Sequence, residues 1–420
     1  MSQVLTPSLV FSISKPWTIK KYNEIYSFYP TNSFSREKLN YENGTVKNIH
    51  YGDIHTKFST VFCIEDEVVP FINIDVDLSK IKIENYCQEG DLVIADASEN
   101  YDDIGKAIEI KKLNGKKVIA GLHTLLARPN KFAMANGFVG YLMQSWFVRK
   151  QIMVIAQGAK VLGISTGRLG NINLPIPSKE EQQQIASFLT SVDSKISQLT
   201  EKHRLLNEYK KGVMQQLFSQ QLRFKDKDGK SFPEWKQDRL DAFIERVNSP
   251  VDVDQTEKYR EIGIRCHGKG IFHKNKKSGS ELGNKRVFWI HPNALIINIV
   301  FAWERAIAVT SDNENGLIAS HRFPMFIPKK RKSDLDYLLY FFLSPKGEYL
   351  LNLASPGGAG RNKTLGQAEF ARLKVTLPSL KEQQKIAHFL QIIDKKIAAV
   401  VQQIEQTKRF KKGLLQQMFV

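Results

Sequence analysis

Pro177-Ser178-Lys179-Glu180-Glu181-Gln182-Gln183-Gln184-Ile185-Ala186-Ser187-Phe188-Leu189 returns later in the chain as Pro378-Ser379-Leu380-Lys381-Glu382-Gln383-Gln384-Lys385-Ile386-Ala387-His388-Phe389-Leu390. The offset of 201 residues holds without a gap onward, so that Lys210-Lys211-Gly212 matches Lys411-Lys412-Gly413, and Gln215-Gln216-Leu217-Phe218 matches Gln416-Gln417-Met418-Phe419. Eighteen of the 42 aligned positions are identical. Unrelated segments do not share residues at that density, so the sequence carries an internal duplication.

Each copy reads as one long helix. Ser178 and Ser379 occupy N-cap positions, with Glu181 and Glu382 three residues on. That is capping-box spacing, in which each side chain satisfies a backbone N–H of the first turn. Apolar residues then step by seven: Ile185, Val192, Leu199, Leu206 and Val213 in one copy, Ile386, Ile393, Val400 and, past Thr407, Leu414 in the other. A period of seven is a coiled-coil seam, which has to be buried against another helix. With two such helices in the chain, the economical partner of each is the other; the pattern leaves their relative direction open. Phe188, Leu189, Ile196 and Tyr209, and likewise Phe389, Leu390, Ile397 and Phe410, are expected to flank the seam.

Outward from the helices, Lys15-Pro16-Trp17 and Phe232-Pro233-Glu234-Trp235 open two longer, divergent regions. The expected order is domain, helix, domain, helix: residues 1–177, 178–222, 223–377 and 378–420. Short apolar or alternating runs read as strands at Asp91 to Ala95, Lys106 to Lys111, Val118 to Leu122, Ala294 to Val300, Ala306 to Thr310 and Phe323 to Ile327. Helical runs appear at Val139 to Ile155 and Leu335 to Leu351. The predicted class is therefore α+β, with two mixed α/β domains and a pseudo-two-fold repeat.

The 420 residues carry 61 Lys and Arg against 43 Asp and Glu, a formal charge of +18. A surplus of this size favours a polyanionic partner, nucleic acid before an acidic membrane surface. The excess concentrates in residues 225–377, with 26 basic and 18 acidic side chains. Clusters able to neutralise phosphates are Lys111-Lys112 with Lys116-Lys117; Lys269, His273, Lys274, Lys276 and Lys277; Lys329-Lys330-Arg331-Lys332; and Arg361-Asn362-Lys363. No apolar run reaches membrane-spanning length, since the stretch from Ala294 to Ala302 is interrupted by Asn298. Three cysteines without CxxC spacing and a start without secretory character point to a reducing cytoplasm.

Catalytic motifs are missing. The glycine-rich stretch Ser355 to Thr364 does not place Lys363 directly after a glycine, as a phosphate-binding P-loop would. No Gly-x-Gly-x-x-Gly follows a strand, and Asn-Pro-Pro-Tyr is absent, so neither a dinucleotide or methyl-donor pocket nor an adenine-gripping segment is expected. Cys266-His267 with His273 is too sparse for a metal site. Asp96 with Glu109-Ile110-Lys111 faintly matches a nuclease metal site, which strand alternation explains equally well.

The two copies of Pro-x-x-x-Glu-Gln-Gln-x-Ile-Ala-x-Phe-Leu, each followed by Asp-x-Lys-Ile and by Lys-Lys-Gly-x-x-Gln-Gln-x-Phe, resemble the specificity subunit of type I restriction–modification systems. The resemblance implies two target-recognition domains, each reading half of a split, asymmetric DNA sequence. It implies an antiparallel coiled coil as the ruler between them, and no catalysis by this chain. Two modification subunits, carrying S-adenosylmethionine, and two restriction subunits, using ATP and magnesium, are the implied partners beside double-stranded DNA. Base and phosphate contacts call for basic and amide side chains at loop depth. Candidates are Lys111, Lys112, Lys116, Lys117, His123, Thr124, Arg128, Lys160 and Arg168 in the first half. In the second they are Lys269, Lys274, Lys276, Lys277, Arg286, His321, Arg322, Arg361, Asn362 and Lys363. Two rival readings remain: a coiled-coil scaffold without sequence-specific DNA binding, and a DNA-cleaving enzyme using Glu109 and Lys111.

Overall fold

A computed structural model describes residues 16–130, 134–329, 332–357 and 363–419. Its contacts divide the chain into two units: residues up to Thr200 together with those from Gln402 on, and residues 201–401.

In the first unit, a five-stranded sheet runs Tyr26–Tyr29, Thr124–Pro129, Leu92–Ala95, Ala107–Lys112, Val61–Cys63 in spatial order. A four-stranded sheet runs Lys117–Ala120, Val46–Ile49, Phe71–Ile72, Leu39–Asn40. The central strand Leu92–Ala95 is buried on both faces, as its unbroken apolar run requires. The expected helix from Val139 to Ile155 is instead two pieces, Phe138–Leu142 and Trp146–Ile155. Ser145 breaks it by starting a new helix, its hydroxyl accepting from the Val148 N–H.

The second unit holds two four-stranded sheets. One runs Ile244–Val247, Met325–Pro328, Leu295–Ile297, Ile307–Val309, and the other Ile271–Ser278, Lys258–Ile264, Ile318–Ser320, Val287–Trp289. Here too the expected helix from Leu335 to Leu351 divides, into Leu335–Leu343 and Pro345–Leu353. Ser344 caps the second piece and Pro345 fills its first position, where no N–H is needed.

The duplicated segments form helices of 40 and 39 residues, Lys179–Phe218 and Leu380–Met418. In each unit, the beginning of one packs beside the end of the other, running opposite ways. Leu414, Met418 and Phe419 share a core with Ile185, Leu189 and Val192 in the first unit. Val213, Leu217 and Phe218 share one with Ile386, Leu390 and Ile393 in the second. The seam is as expected: Ile185, Val192, Leu199, Val213, Ile386, Ile393, Val400 and Leu414 are buried, and Leu206 is half-buried.

Among the repeat's identical residues, Asp193 and Asp394, Lys210 and Lys411, and Gln182 and Gln383 tie helix to domain. Asp193 accepts from the Tyr141 hydroxyl at 2.9 Å and pairs with Lys411 at 2.7 Å. Its counterpart Asp394 accepts from Tyr340 at 2.6 Å and pairs with Lys210. Each lysine also lies over the tyrosine ring, 5.2 and 5.1 Å from its centre. The buried amides of Gln182 and Gln383 donate to the carbonyls of Pro177 and Pro378 and accept from the N–H of Ala135 and Asp334. An antiparallel strand pair closes each domain at the helix start: Thr18–Lys21 with Asn173–Ile176, and Lys236–Arg239 with Lys374–Leu377.

Two expectations for the helices need correction. Neither capping box closes. Ser178 accepts from the Glu181 N–H at 3.3 Å, but the Ser379 hydroxyl is buried without a partner. Glu382 turns instead to Arg223, at 3.2 and 3.0 Å. Tyr209 and Phe410, expected beside the seam, are exposed, 53% and 54%. They fall on the outer face because 3.6 residues per turn carries them off the stripe.

Candidate nucleic-acid interface

In the first unit, Lys111, Lys112, Lys116 and Lys117 surround the turn between strands Ala107–Lys112 and Lys117–Ala120, and all four are exposed. Asn114 and Gly115 supply the positive φ values, 48° and 71°, that the turn needs. Lys111 also lines a cleft of about 470 Å³ with Lys179 and Asn136. His123 stands apart from this turn. Its own φ is 54°, Asp96 lies 3.5 Å from its ring, and Tyr51 packs edge-on at 5.3 Å. Lys160 and Arg168 are exposed on a third segment, where Arg168 donates to the Ile155 carbonyl.

Two candidates in this unit are structural. Thr124 is buried and donates to the Gly121 carbonyl at 2.6 Å. Arg128 grips the buried Asp91 through two hydrogen bonds, 2.9 and 2.8 Å, and donates to the carbonyls of Glu84 and Tyr86. A guanidinium satisfied in this way has no fork left for a base or phosphate. The nuclease constellation does not assemble either. Both Glu109 oxygens accept backbone N–H groups, from Gly137 at 2.6 Å and Gly140 at 2.7 Å, and the side chain is 3% exposed. Asp96 faces His123 instead.

Sequence reasoning missed the neighbours of His123. On the helix Tyr51–Thr56 and its cap, His50 packs tilted against Tyr51 at 4.7 Å and His55 meets the Tyr51 ring edge-on at 5.9 Å. Burial, together with Arg36, pushes His50 down to about 4. Asp53 at the same helix start is buried, which alone would raise its pKa, yet Arg36 and Lys57 hold it below the usual range. No spacing in the sequence marks these residues as one cluster.

The second unit gathers its candidates more closely. Strand Ile271–Ser278 lies at a sheet edge with residues 273–277 exposed on both faces; Lys276 and Lys277 project into solvent, while Lys274 lies 3.7 Å from Glu261. Lys269 sits in the preceding turn between Gly268 and Gly270, whose φ values are 67° and 78°. His321 is tied to Arg286 by a backbone hydrogen bond of 3.0 Å. Lys274, His321 and Arg322 line one cavity of about 360 Å³ with Lys285, Glu261 and Phe301. Lys363 lies 5.7 Å from the Trp303 ring centre, and the chain two residues on is bonded to Ile299. Arg361 and Asn362 lie outside the described residues, as do Lys330 and Arg331. Lys285 and Glu261 were missed because each reads in sequence as an ordinary surface charge.

Exposed cations on loops and an edge strand suit phosphate contact, and a cavity with both signs of charge suits a base edge. Among the described residues, no group of three or more His, Cys, Asp or Glu side chains could hold a metal ion. No described helix is long and apolar enough to cross a membrane.

A family model described as type I restriction modification DNA specificity domain matches residues 15–208 and 274–409. A provisionally named MjaX type I restriction enzyme specificity subunit of Methanocaldococcus jannaschii is 25% identical over 346 residues, 78% of this chain and 76% of that protein. The StySPI specificity subunit of Salmonella potsdam is 23% identical over 368 residues, 81% and 79% of the two chains. The crystal structure of a type I S subunit from M. genitalium superposes with a TM-score of 0.55 at 12% identity, covering 99% of both chains.

Proposed function

The chain belongs to the family of type I restriction–modification DNA specificity domains, and from that premise we propose how its parts divide the work. It is the DNA-recognition subunit, and each unit reads one half of a bipartite, asymmetric duplex target. The paired helices fix the gap between the halves. The chain itself makes and breaks no bond. Two modification subunits methylate adenine with S-adenosylmethionine, and two restriction subunits cleave with ATP and magnesium, all in the cytoplasm. The scaffold and nuclease readings give way to this one.

The observation that carries the proposal is the repeated clamp. Asp193, Tyr141 and Lys411 in one unit, and Asp394, Tyr340 and Lys210 in the other, put the same helix frame under two domains of different sequence. A reader of two unlike half-sites needs that combination of constant support and variable loops. Contact with DNA is assigned to Lys111, Lys112, Lys116, Lys117 and His123 in the first unit, and to Lys269, Lys274, Lys276, Lys277, Arg286, His321, Arg322 and Lys363 in the second.

Replacing residues 225–377 by the corresponding region of a relative tests the proposal. The complex assembled with its modification subunit is expected to methylate a sequence changed in one half only. Retention of both original half-sites would defeat the two-reader assignment.

A further inference from the structure

Strand Lys258–Ile264 pairs with Ile271–Ser278 in register except at one place. Arg260 opposes Lys276 and Ile262 opposes His273, so the ladder advances two residues on one strand and three on the other. The bulge makes Lys274 and Asn275 both face Glu261. Bulges of this kind re-aim side chains and are enriched beside functional sites.

Glu261 is 6% exposed, yet its charge is incompletely answered. Lys274 stands 3.7 Å away and Lys285 3.9 Å, both beyond hydrogen-bond distance, and both lysines are substantially exposed. Among the described residues no hydrogen bond reaches its carboxylate. Asp91, Glu109, Glu314 and Glu382 each accept direct hydrogen bonds from side chains or backbone, whereas buried Glu181 and Asp53 each keep one oxygen without a partner and do not line the cavity beside Glu261. A buried carboxylate short of donors is costly unless a ligand supplies them. Glu261 lines the cavity together with Lys274, His321 and Arg322.

We propose that Glu261 and Lys274 together read one C·G base pair in the half-site of the second unit, a refinement that rests on the proposed function. A carboxylate only accepts, and cytosine offers the N4 amino group in the major groove with no acceptor beside it on the same base. Adenine sets N7, an acceptor, next to its amino group and so repels a carboxylate. The guanine paired with that cytosine presents O6 and N7, which take a lysine ammonium. An acceptor and a donor side by side in the cavity thus match the donor and acceptor side by side on the pair. A phosphate is a poor occupant, because Glu261 would face a second anion.

The test uses the chain assembled with its cognate modification subunit and a library of duplex sequences, read by the methylated positions. The wild type is expected to require C·G at one position of the half that follows residues 225–377 in the domain swap. E261Q keeps the shape and adds an amide that suits adenine N6 and N7. It is expected to lose about ten- to a hundredfold of its preference for C·G at that position alone, toward A·T. K274M changes an exposed side chain, so its folding is not at issue, and is expected to relax the same base pair. An unchanged methylated sequence in K274M, or in an active E261Q complex, would overturn the assignment while leaving the two-reader proposal standing. A wild-type complex with no bipartite sequence at all would sink the proposed function itself.

Discussion

At the residue scale, Glu109 has the clearest measurable consequence. Burial pushes its carboxyl up to about 7, against the opposing pull of the N–H groups of Gly140 and Gly137. Those two glycines open the helix Phe138–Leu142, whose N-cap, Gly137, has no side chain of its own to cap it. A group with a raised folded pKa binds more protons folded than unfolded between the two values. Stability from this site is therefore fully present below about 4.5 and falls as the pH rises towards 7. The loss is on the order of 3 kcal/mol if the whole shift is realised. Thermal unfolding followed from pH 4.5 to 7.5 should show a falling midpoint for the first unit, and Glu109→Gln should flatten it; equal slopes in both proteins would refute this. The residue scale is also where sequence says least. Thr124 and Arg128 look like solvent-facing polar groups until Gly121 and Asp91 are seen beside them. Arg128 and Asp91 are 37 residues apart, and nothing local announces that a carboxylate waits inside. Lys274 and His321 could be picked out as candidates because loops and edge strands leave polar side chains exposed, whereas Glu261 depended on a bulge that no propensity encodes.

At the scale of elements, the two long helices were the most legible part, because a seven-residue apolar period forces a buried stripe whatever surrounds it. What the period could not show is that Asp193 and Asp394 are clamps, since the tyrosines they accept from lie on other helices. The helical runs after Val139 and Leu335 were also legible as helix, but their breaks at Ser145 and Ser344 required reading a serine as a cap. The clamps give a test at this scale. Asp193 and Lys411 are partly buried, at 30% and 16% side-chain exposure, so their pairing is screened less than a surface ion pair. A double-mutant cycle with Asp193→Asn and Lys411→Met should return a coupling of roughly 1 kcal/mol. The repeat-related cycle, Asp394→Asn with Lys210→Met, should return a similar value, since the same three groups meet in the same way. A coupling near zero in both would mean that the tyrosine hydroxyls alone anchor the helices.

For the whole molecule, the consequence of the repeat is a length. A helix rises 1.5 Å per residue, so one heptad adds about 10 Å, the length of about three base pairs of B-DNA. Leu199 and Val400 are repeat equivalents, both buried in the seam. An insertion of seven residues after each preserves the phase of both stripes, so every seam residue keeps an apolar partner. Inserting into one helix alone would leave seven residues without a partner and expose part of the stripe. The double insertion touches none of the loops that carry Lys111, His123, Lys274 or Arg322. If the helices set the distance between readers, the complex with its modification subunit will methylate the same two half-sites separated by a non-specific gap about three base pairs longer. The half-sites themselves serve as the internal control, because both must survive for the gap to be measured. An active double-insertion complex that keeps the original gap would show that the spacing is set elsewhere, by the modification subunits or by bending of the DNA between the two readers.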